Sequence, residues 1–460
     1  MSHRSAFSAG LREVADACAG EVEARWADVT VRGVSTDTRD LAPGELFVAL
    51  AGQQHDGHDF LAAAQQAGAV AAVVSQGDRA PEGLPVVIVE DTLEALGAIA
   101  ALHRSRMSAR VAAITGSTGK TTTKDMLGAI MRRVGATVVA EGTHNNEVGV
   151  PLTLLRLRPE DAFCVLELAM RAPGEIGYLA RIAQPHVGII TNIGQSHVGR
   201  LGTREAIAQT KAELLEHLPP DGAAVLNADD FFFSVFEAMA PCPVFSFGLG
   251  AQAQVRAEAI ANHDLARVSF RLLSPAGAAD VAMPVPGRHN VLNALAAAAA
   301  ALELGAALEA VAAGLADHEG TAMRMQCVPG RSGSTIINDA YNASPDSVTA
   351  ALHVLGAAPG RRVFVFADML EMGREAEPAH REVGNLVARS GVHWLIAVGE
   401  LAALAAAQAR ELGVRADAVD DAPAAAELLA GELGPDDTVL VKGSRSMRLE
   451  RVVEALADDH

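Results

Sequence analysis

The stretch "TGSTGKTTT" at residues 115–123 is a glycine-rich turn between two different kinds of segment. Before it stands the apolar run "VAAIT" (111–115), and after it comes the helix-like "TTTKDMLGAIMRRV" (121–134). The usual phosphate-binding loop has the spacing G-x-x-x-x-G-K-[ST] and lies between a strand and a helix. Here the two glycines are Gly116 and Gly119, so the loop takes the shorter form G-x-x-G-K-T. Strand, glycines, lysine and helix together predict a nucleotide-binding loop rather than an ordinary glycine turn that caps a helix.

The residues of this loop suit phosphate chemistry. Glycines let backbone N–H groups approach phosphate oxygens, and the N-terminus of the following helix adds a favourable dipole. Lys120 is placed to reach the β- and γ-phosphates of ATP or GTP, and Thr121 offers a hydroxyl to Mg²⁺. The predicted nucleotide contacts in the loop are Gly116, Ser117, Thr118, Gly119, Lys120, Thr121 and Thr122.

Similar apolar runs recur along the chain and alternate with helix-like segments. Fully apolar strands that alternate with helices indicate parallel α/β sheets. Polar residues stand where these runs end, and open α/β sheets bind their ligands beyond the carboxyl ends of the strands. The runs are "VAAIT" (111–115), "FCVLEL" (163–168), "HVGIIT" (186–191), "AAVLN" (223–227), "RVFVFA" (362–367), "WLIAV" (394–398) and "TVLVK" (438–442). The polar residues are Glu167, Asn192, Asn227, Asp368 and Lys442.

The length of 460 residues predicts more than one domain, since a domain usually holds about 100–200 residues. We expect an α/β protein with three domains. A small N-terminal α/β domain covers residues 1–106 and contains "GVSTDTRDLAPGELFVAL" (33–50). A central domain with a P-loop-type parallel sheet covers 107–318, and a smaller Rossmann-like domain covers 319–460.

The bulk composition excludes some function classes. The net charge of −19 argues against a general nucleic-acid binder, which would need a basic surface to displace counterions. Four scattered cysteines, none paired at metal-ligand or redox spacing, suit a reducing compartment. The N-terminus lacks an apolar signal core, and the apolar run at 291–302 falls below the ~18 residues that a membrane span needs. We therefore expect a cytoplasmic protein without a membrane span. We also expect a monomer, although none of these features addresses the oligomeric state.

Three further residues follow the loop but are weak signals when taken singly. Glu167 ends an apolar run, where a metal-binding carboxylate would stand, yet a structural role is the more common one for such a residue. His197 follows another run, and a lone histidine is more often a satisfied structural residue. Lys211 falls inside a helix-like segment, and such a lysine usually belongs to a solvated face.

Taken together, these segments resemble the Mur ligases, the ATP-dependent amide-forming enzymes of peptidoglycan precursor synthesis, and their folylpolyglutamate synthetase relatives. The short G-x-x-G-K-T loop is the form found in that superfamily. The resemblance runs nearly from end to end, and its details are similar to the branch that adds the dipeptide D-alanyl-D-alanine. The stretches that carry it are "STDTR" (35–39), "GTHNNEVGVPLTLL" (142–155), "PGRHNVLNALAAAA" (286–299), "INDAYNASPDS" (337–347) and "VKGSRSMRLE" (441–450).

The resemblance implies a role for each matching residue. Lys120, His197 and Lys211 are implied as catalytic. Two Mg²⁺ ions are implied, with Thr121, Glu167, His197 and Lys211 as ligands, and Lys211 matches the lysine that the family carbamylates. Asn290 and Asn293 are implied near the adenine of ATP, and Arg324 and Asp339 at its γ-phosphate and ribose. The implied substrate-binding residues are Ser35, Thr36, Asn145, Asn146, Asn342, Lys442 and Arg445.

The implied reaction activates a carboxylate and couples it to an amine. The implied partners are UDP-N-acetylmuramoyl-tripeptide and D-alanyl-D-alanine, and the motifs suit a tripeptide that ends in either diaminopimelate or lysine. A folylpolyglutamate-type ligase or an earlier Mur ligase is the alternative enzyme. The "STDTR" region and the absence of a D-N-P-R motif speak against that alternative. A catalytically silent nucleotide-binding module is the alternative from another class.

Overall fold

The computed structural model describes residues 4–52, 54–195, 198–263 and 265–458. The described residues form three successive α/β units, each built on its own main sheet, so the predicted fold class is confirmed. The main sheets take their strands from residues 21–88, 110–283 and 326–442. The exact domain boundaries at 106/107 and 318/319 stay predictions.

The first unit is a small five-stranded sheet with three helices. Its strands β4 to β7 pair in parallel, β2 pairs antiparallel with β7, and β1 and β3 form a separate antiparallel pair. Helix α3 begins at the side chain of Asp91, which accepts hydrogen bonds from the N–H groups of Leu93 and Glu94. The elements are β1 (Ser8–Gly10), α1 (Leu11–Ala17), β2 (Glu21–Val22), β3 (Thr30–Arg32), β4 (Val34–Ser35), β5 (Leu46–Val48), α2 (Leu61–Ala67), β6 (Ala71–Val74), β7 (Val86–Ile88) and α3 (Thr92–Arg104).

The central unit is a nine-stranded sheet in the order β16-β15-β14-β13-β12-β11-β8-β10-β9. Its elements as far as β13 are β8 (Arg110–Thr115), α4 (Lys120–Arg132), β9 (Thr137–Val139), α5 (Gly149–Leu154), β10 (Phe163–Glu167), α6 (Glu175–Ala183), β11 (Val187–Ile190), α7 (Val198–Leu201), α8 (Arg204–Ala212), β12 (Ala223–Asn227), α9 (Phe233–Met239) and β13 (Val244–Gly248). The rest are β14 (Val255–Asn262), β15 (Val268–Ser274), β16 (Gly277–Met283), α10 (Arg288–Glu303) and α11 (Leu308–Ala316).

One part of this sheet differs from the expected parallel arrangement. Strands β14, β15 and β16 pair antiparallel with one another, whereas β8 to β13 pair in parallel. Short turns connect the antiparallel strands, and such turns cannot provide the long crossover that parallel neighbours need. The apolar runs from which the parallel sheet was predicted all lie elsewhere in the chain.

The third unit is a six-stranded sheet in the order β17-β18-β22-β19-β20-β21, parallel except for β17. Its elements are β17 (Gln326–Pro329), β18 (Thr335–Asn338), α12 (Pro345–Gly356), β19 (Arg361–Ala367), α13 (Ala376–Arg389), β20 (Trp394–Val398), α14 (Ala402–Glu411), β21 (Arg415–Val419), α15 (Ala422–Ala430), β22 (Asp437–Lys442) and α16 (Glu450–Leu456). Short 3₁₀ helices connect elements throughout the chain.

The cores explain where a ligand can bind. Strands β8, β10, β11 and β12 are buried along almost their whole length, because helices cover both faces of the central sheet. The alanine-rich face of α10 packs on one side of that sheet with Ala294–Ala301 fully buried. Polar groups are therefore concentrated at the carboxyl ends of these strands. Within the described residues, no helix combines the length and the apolar character that crossing a bilayer requires.

Candidate active site

A cavity of about 750 Å³ lies where the central unit faces the third unit. The phosphate-loop residues 117–122 line one wall, and Glu167 at the end of β10 lies beside them. Arg324, Asp339 and Lys442 line the opposite side. The cavity thus brings together residues as far apart in the chain as Ser117 and Ser446.

The two glycines of the loop are required by its conformation. Gly116 and Gly119 have φ angles of +147° and +82°, which side-chain-bearing residues rarely adopt. A Cβ atom on Gly116 would overlap the hydroxyl of Thr191, and one on Gly119 would overlap the amide oxygen of Asn293. Glycine at both positions therefore lets the loop pass close to β11 and α10.

The end of β11 holds the loop in shape. The side chain of Asn192 accepts a hydrogen bond from the N–H of Thr118 (3.0 Å) and donates one to the Thr118 hydroxyl (2.8 Å). The hydroxyl of Thr191 donates to the carbonyl of Thr118 at 2.6 Å. Sequence reasoning noted Asn192 only as a polar strand end; its position directly after an apolar run was the signal that marked it.

Lys120 begins helix α4 and is folded back onto its own loop. Its ammonium donates to the carbonyl of Gly116 at 2.8 Å. Burial lowers the pKa of Lys120, the carboxylate of Glu167 opposes that shift, and the guanidinium of Arg324 adds to it. An incoming phosphate would replace the carbonyl as the acceptor and would favour the charged ammonium.

Glu167 offers an oxygen without a partner. Its Oε1 accepts a hydrogen bond from the side chain of Asn145 at 2.8 Å, while its Oε2 is buried and has no hydrogen-bond partner among the described residues. A buried carboxylate oxygen without a partner is costly unless a cation or donor binds it. Together with the hydroxyl of Thr121, which lines the same cavity, this oxygen suits Mg²⁺, a cation that prefers oxygen ligands.

The other two predicted metal ligands are Lys211 and His197. Lys211 lies in α8, is 1% exposed, and has no hydrogen-bond or ion-pair partner among the described residues. Burial, with a smaller contribution from Lys120, holds the pKa of Lys211 well below its usual value. Lys211 does not line the cavity itself. His197 lies outside the described residues, and those residues contain no cluster of three or more histidine, cysteine or acidic side chains that could hold a metal.

The predicted adenine-side residues form one small network at the start of α10. Asn293 donates to the side-chain oxygen of Asn290 at 3.1 Å, and Asn290 donates to the carbonyl of Pro286 at 2.8 Å. Both asparagines line the cavity, as does His289. Burial lowers the pKa of His289 to about 4, so this imidazole is neutral at pH 7.

Arg324 connects the third unit to the phosphate loop. Its guanidinium donates to the hydroxyl of Thr121 at 3.1 Å, and its central carbon lies 4.1 Å from the ring centroid of Tyr341. Such a contact between a cation and an aromatic face is attractive. Tyr341 lines the cavity and was not singled out from the sequence, although it lies within the quoted stretch "INDAYNASPDS".

Asp339 and Lys442 form a buried ion pair. Their oxygen and nitrogen are 2.6 Å apart, and Asp339 also accepts a hydrogen bond from the N–H of Met325. Lys442 donates in addition to the carbonyl of Asn342 at 2.9 Å. Both partners line the cavity, but the ammonium is already occupied by protein acceptors. The predicted role of Lys442 toward a dipeptide stays a prediction.

The remaining predicted substrate residues are divided between two places. Asn145, Asn146, Asn342 and Arg445 line the cavity. Within this group, the Asn146 side chain accepts from the N–H of Gly149 at the start of α5, and Arg445 pairs with Glu450 at 2.9 Å. Ser35 and Thr36 lie in the first unit and do not line this cavity; the Ser35 hydroxyl donates to the carbonyl of Asp37.

Three family models match successive parts of the chain. They are "Mur ligase family, catalytic domain" over residues 30–104, "Mur ligase middle domain" over 114–301, and "Mur ligase, glutamate ligase domain" over 323–445. A UDP-N-acetylmuramoyl-tripeptide–D-alanyl-D-alanine ligase from Escherichia coli K12 is 37% identical over 98% of this chain and 99% of its own. This chain belongs to the Mur ligase family.

Other relatives of this Mur ligase agree in sequence and structure. A Bacillus subtilis ligase of the same name is 34% identical over 94% of this chain and 95% of its own. The crystal structure of MurF from Acinetobacter baumannii superposes with a TM-score of 0.89 at 32% identity, covering 98% and 99% of the two chains. MurF from Thermotoga maritima in complex with ADP gives a TM-score of 0.82 at 26% identity, covering 92% and 96%. The family predicted from the motifs is confirmed.

Proposed function

We propose that this Mur ligase joins D-alanyl-D-alanine to UDP-N-acetylmuramoyl-tripeptide at the expense of ATP. The products are ADP, phosphate and UDP-N-acetylmuramoyl-pentapeptide, a precursor for peptidoglycan synthesis and thus for cell-wall growth and division. The observation that carries the proposal is one cavity that contains the phosphate loop, Arg324 and a Glu167 oxygen without a partner among the described residues. The names of its full-length relatives support the choice of substrates. We further propose that the protein acts as a monomer in the cytoplasm.

The proposed chemistry follows from the poor reactivity of a carboxylate. In the first step, a carboxylate oxygen of the tripeptide attacks the γ-phosphorus of ATP, and ADP leaves. The acyl phosphate then has a good leaving group, so the dipeptide amine attacks its carbonyl carbon and phosphate departs as the amine loses a proton. Phosphoryl transfer depends mainly on positioning and charge neutralisation. Lys120 and Arg324 both contact the phosphate loop and would supply positive charge there.

We propose that two Mg²⁺ ions are held by Thr121, Glu167, His197 and a modified Lys211. When bound, they would neutralise the phosphate charge and provide fixed contacts for phosphate oxygens. An ammonium at Lys211 would repel the ions, whereas a carbamate is an anion with two oxygen donors. Addition of CO₂ requires the neutral amine. Burial lowers the pKa of Lys211, which favours that form, and its amine has no partner among the described residues. ¹³C NMR of enzyme equilibrated with ¹³CO₂ would detect a carbamate signal that is lost in Lys211→Arg.

Closure of the third unit on the central one would protect the acyl phosphate from water. Arg324 already bridges the two units through Thr121. We therefore propose an order in which ATP binds first, the UDP-tripeptide second and the dipeptide last. Asn290 and Asn293 would lie near the adenine, and Asp339 near the ribose.

A panel of amines tests the proposal. Enzyme, ATP, Mg²⁺ and UDP-tripeptide are mixed with D-alanyl-D-alanine, D-alanine, L-lysine, meso-diaminopimelate or L-glutamate, and phosphate and product are measured. We expect the dipeptide to support the fastest product formation, and Lys120→Ala is the control for contaminating activity. A single amino acid that outperforms the dipeptide would point to another Mur or folylpolyglutamate-type ligase. No amine-dependent phosphate release with any pair would point to a nucleotide-binding module without ligase activity.

A further inference from the structure

The segment that joins α11 to β17 makes a tight turn beside the phosphate-loop helix. Gly320, Met323 and Met325 all have left-handed φ angles, of +88°, +59° and +52°. The N–H of Arg324 donates to the carbonyl of Thr321 at 3.1 Å and closes the turn. Left-handed backbone at non-glycine residues persists only where the surroundings enforce it. The contacts of this segment with its neighbours therefore hold it in this conformation.

Two side chains of the turn are bound to one face of α4. The hydroxyl of Thr321 donates to Oδ2 of Asp125 at 2.7 Å, and the guanidinium of Arg324 donates to the hydroxyl of Thr121 at 3.1 Å. Thr121 and Asp125 are four residues apart, so they lie one above the other on the helix. The turn consequently runs along α4, with one attachment at Asp125 and another at Thr121.

The same turn is also attached to the third unit. The N–H of Met325 donates to Asp339, the N–H of Tyr341 donates to the carbonyl of Met323, and the guanidinium of Arg324 lies over the ring of Tyr341. Arg324 is thus placed between the two units, and its position depends on contacts with both.

The two attachments on α4 differ in what ATP and Mg²⁺ would do to them. The hydroxyl of Thr121 is a proposed Mg²⁺ ligand, so Arg324 would lose that acceptor when the nucleotide and metal bind. The Asp125–Thr321 hydrogen bond involves no proposed ligand contact and would persist. Its carboxylate also lies 3.3 Å from the buried ammonium of Lys124, which donates to the carbonyl of Gly142. The anchor at Asp125 is therefore fixed on the central unit from a second side.

We propose that Asp125 and Thr321 are positioning residues that hold the turn on α4, so that Arg324 faces the γ-phosphate of ATP. This inference rests on the proposed ATP-dependent function. Thr321 is buried and its hydroxyl donates to a carboxylate, which makes a strong hydrogen bond. Loss of this bond should displace Arg324 and thereby weaken ATP binding.

The test is a double-mutant cycle on the full-length protein with ATP dissociation measured by calorimetry. Thr321→Val removes the hydroxyl at nearly constant volume, and we expect it to weaken ATP binding about tenfold, as for loss of a hydrogen bond to a charged group. Thr321→Ser should restore binding to within about twofold of wild type. In an Arg324→Ala background, Thr321→Val should have almost no further effect, because coupled residues are not additive.

A matched control removes a hydroxyl elsewhere. Thr137 on β9 donates to the carbonyl of Gly135 and does not line the cavity, so Thr137→Val should leave ATP binding unchanged. The inference would be overturned if Thr321→Val bound ATP normally, or if it weakened ATP binding equally in the wild-type and Arg324→Ala backgrounds. In either case the wild-type protein would still form product, so the proposed function would stand. Wild-type protein that neither binds ATP nor forms product would instead overturn the proposed function and this inference together.

Discussion

The buried ion pair between Asp339 and Lys442 gives a quantitative prediction about the third unit. The two groups are 2.6 Å apart, and their side chains are only 12% and 3% exposed. Lys442→Met keeps the apolar stem and removes the ammonium. Among the described residues, the carboxylate of Asp339 then keeps the N–H of Met325 as a hydrogen-bond donor at 3.2 Å. Breaking a buried pair in this way costs about 3–5 kcal/mol. Because that N–H remains, we expect the lower value of about 3 kcal/mol.

A loss of this size is measurable by thermal unfolding. For a unit of roughly 140 residues, about 3 kcal/mol corresponds to a fall of roughly 10 °C in melting temperature, followed by circular dichroism. The double variant Asp339→Asn/Lys442→Met leaves no uncompensated charge and should recover at least half of the loss. Arg389→Met is the control, because the exposed Arg389–Glu382 pair on α13 should contribute no more than about 1 kcal/mol.

Two results would refute this reasoning. If Lys442→Met melted within a degree or two of wild type, the pair would not stabilise the third unit. If melting were unchanged while KM for the dipeptide rose, Lys442 would act on the substrate, as the family resemblance implies, rather than on Asp339.

Three other variants test the phosphate loop and the buried lysine. Lys120→Ala should reduce phosphate release at least a hundredfold without changing the melt, because the ammonium acts on phosphates; substantial remaining turnover would contradict its assignment. Lys211→Ala should be nearly inactive and partly restored by acetate, which can supply the missing anion; if no short carboxylic acid restored turnover, the carbamate proposal would lose its main support. Gly119→Ala should weaken ATP binding at least tenfold, because the φ of +82° and the contact with Asn293 leave no room for a Cβ, and normal binding would show that the loop can relax.

The parallel strands and the phosphate loop could be read from the sequence because their signals are local. The run at 111–115 is apolar up to its last residue, as expected for a strand buried on both faces, and it forms most of β8. Gly116 and Gly119 were expected to let the backbone approach a phosphate, and both have the positive φ angles that favour glycine. The antiparallel pairing of β14, β15 and β16 was not predicted. Whether two strands run parallel or antiparallel depends on which strands become neighbours in the sheet, and the sequence of one strand does not specify its neighbour.

Lysine usage is a further sequence signal, and its meaning became clear only with the structure. The chain has four lysines, Lys120, Lys124, Lys211 and Lys442, and all other basic side chains apart from histidine are arginines. Each of the four is buried or partly buried. Lys120 and Lys442 line the cavity, Lys124 donates to Gly142 beside the cavity residue Thr143, and Lys211 lies close enough to Lys120 for their charges to interact. Lysine carries a compact ammonium on a flexible stem, whereas arginine carries a planar guanidinium with five donors, so the two are not interchangeable at such positions.

The sequence by itself determined the class of fold, the phosphate loop and the family, because each signal is a short stretch of neighbouring residues and the family resemblance is the sum of several such stretches. Only the tertiary structure decided which distant side chains meet. Arg324 reaches Thr121 across 203 positions, Thr321 reaches Asp125 across 196, and Lys442 pairs with Asp339 across 103. These contacts depend on how the third unit packs against α4 and on the path of the turn at 320–325. Spacing along the chain carries no information about either, since the partners are brought together by the burial of sheets and helices far from the contacts themselves.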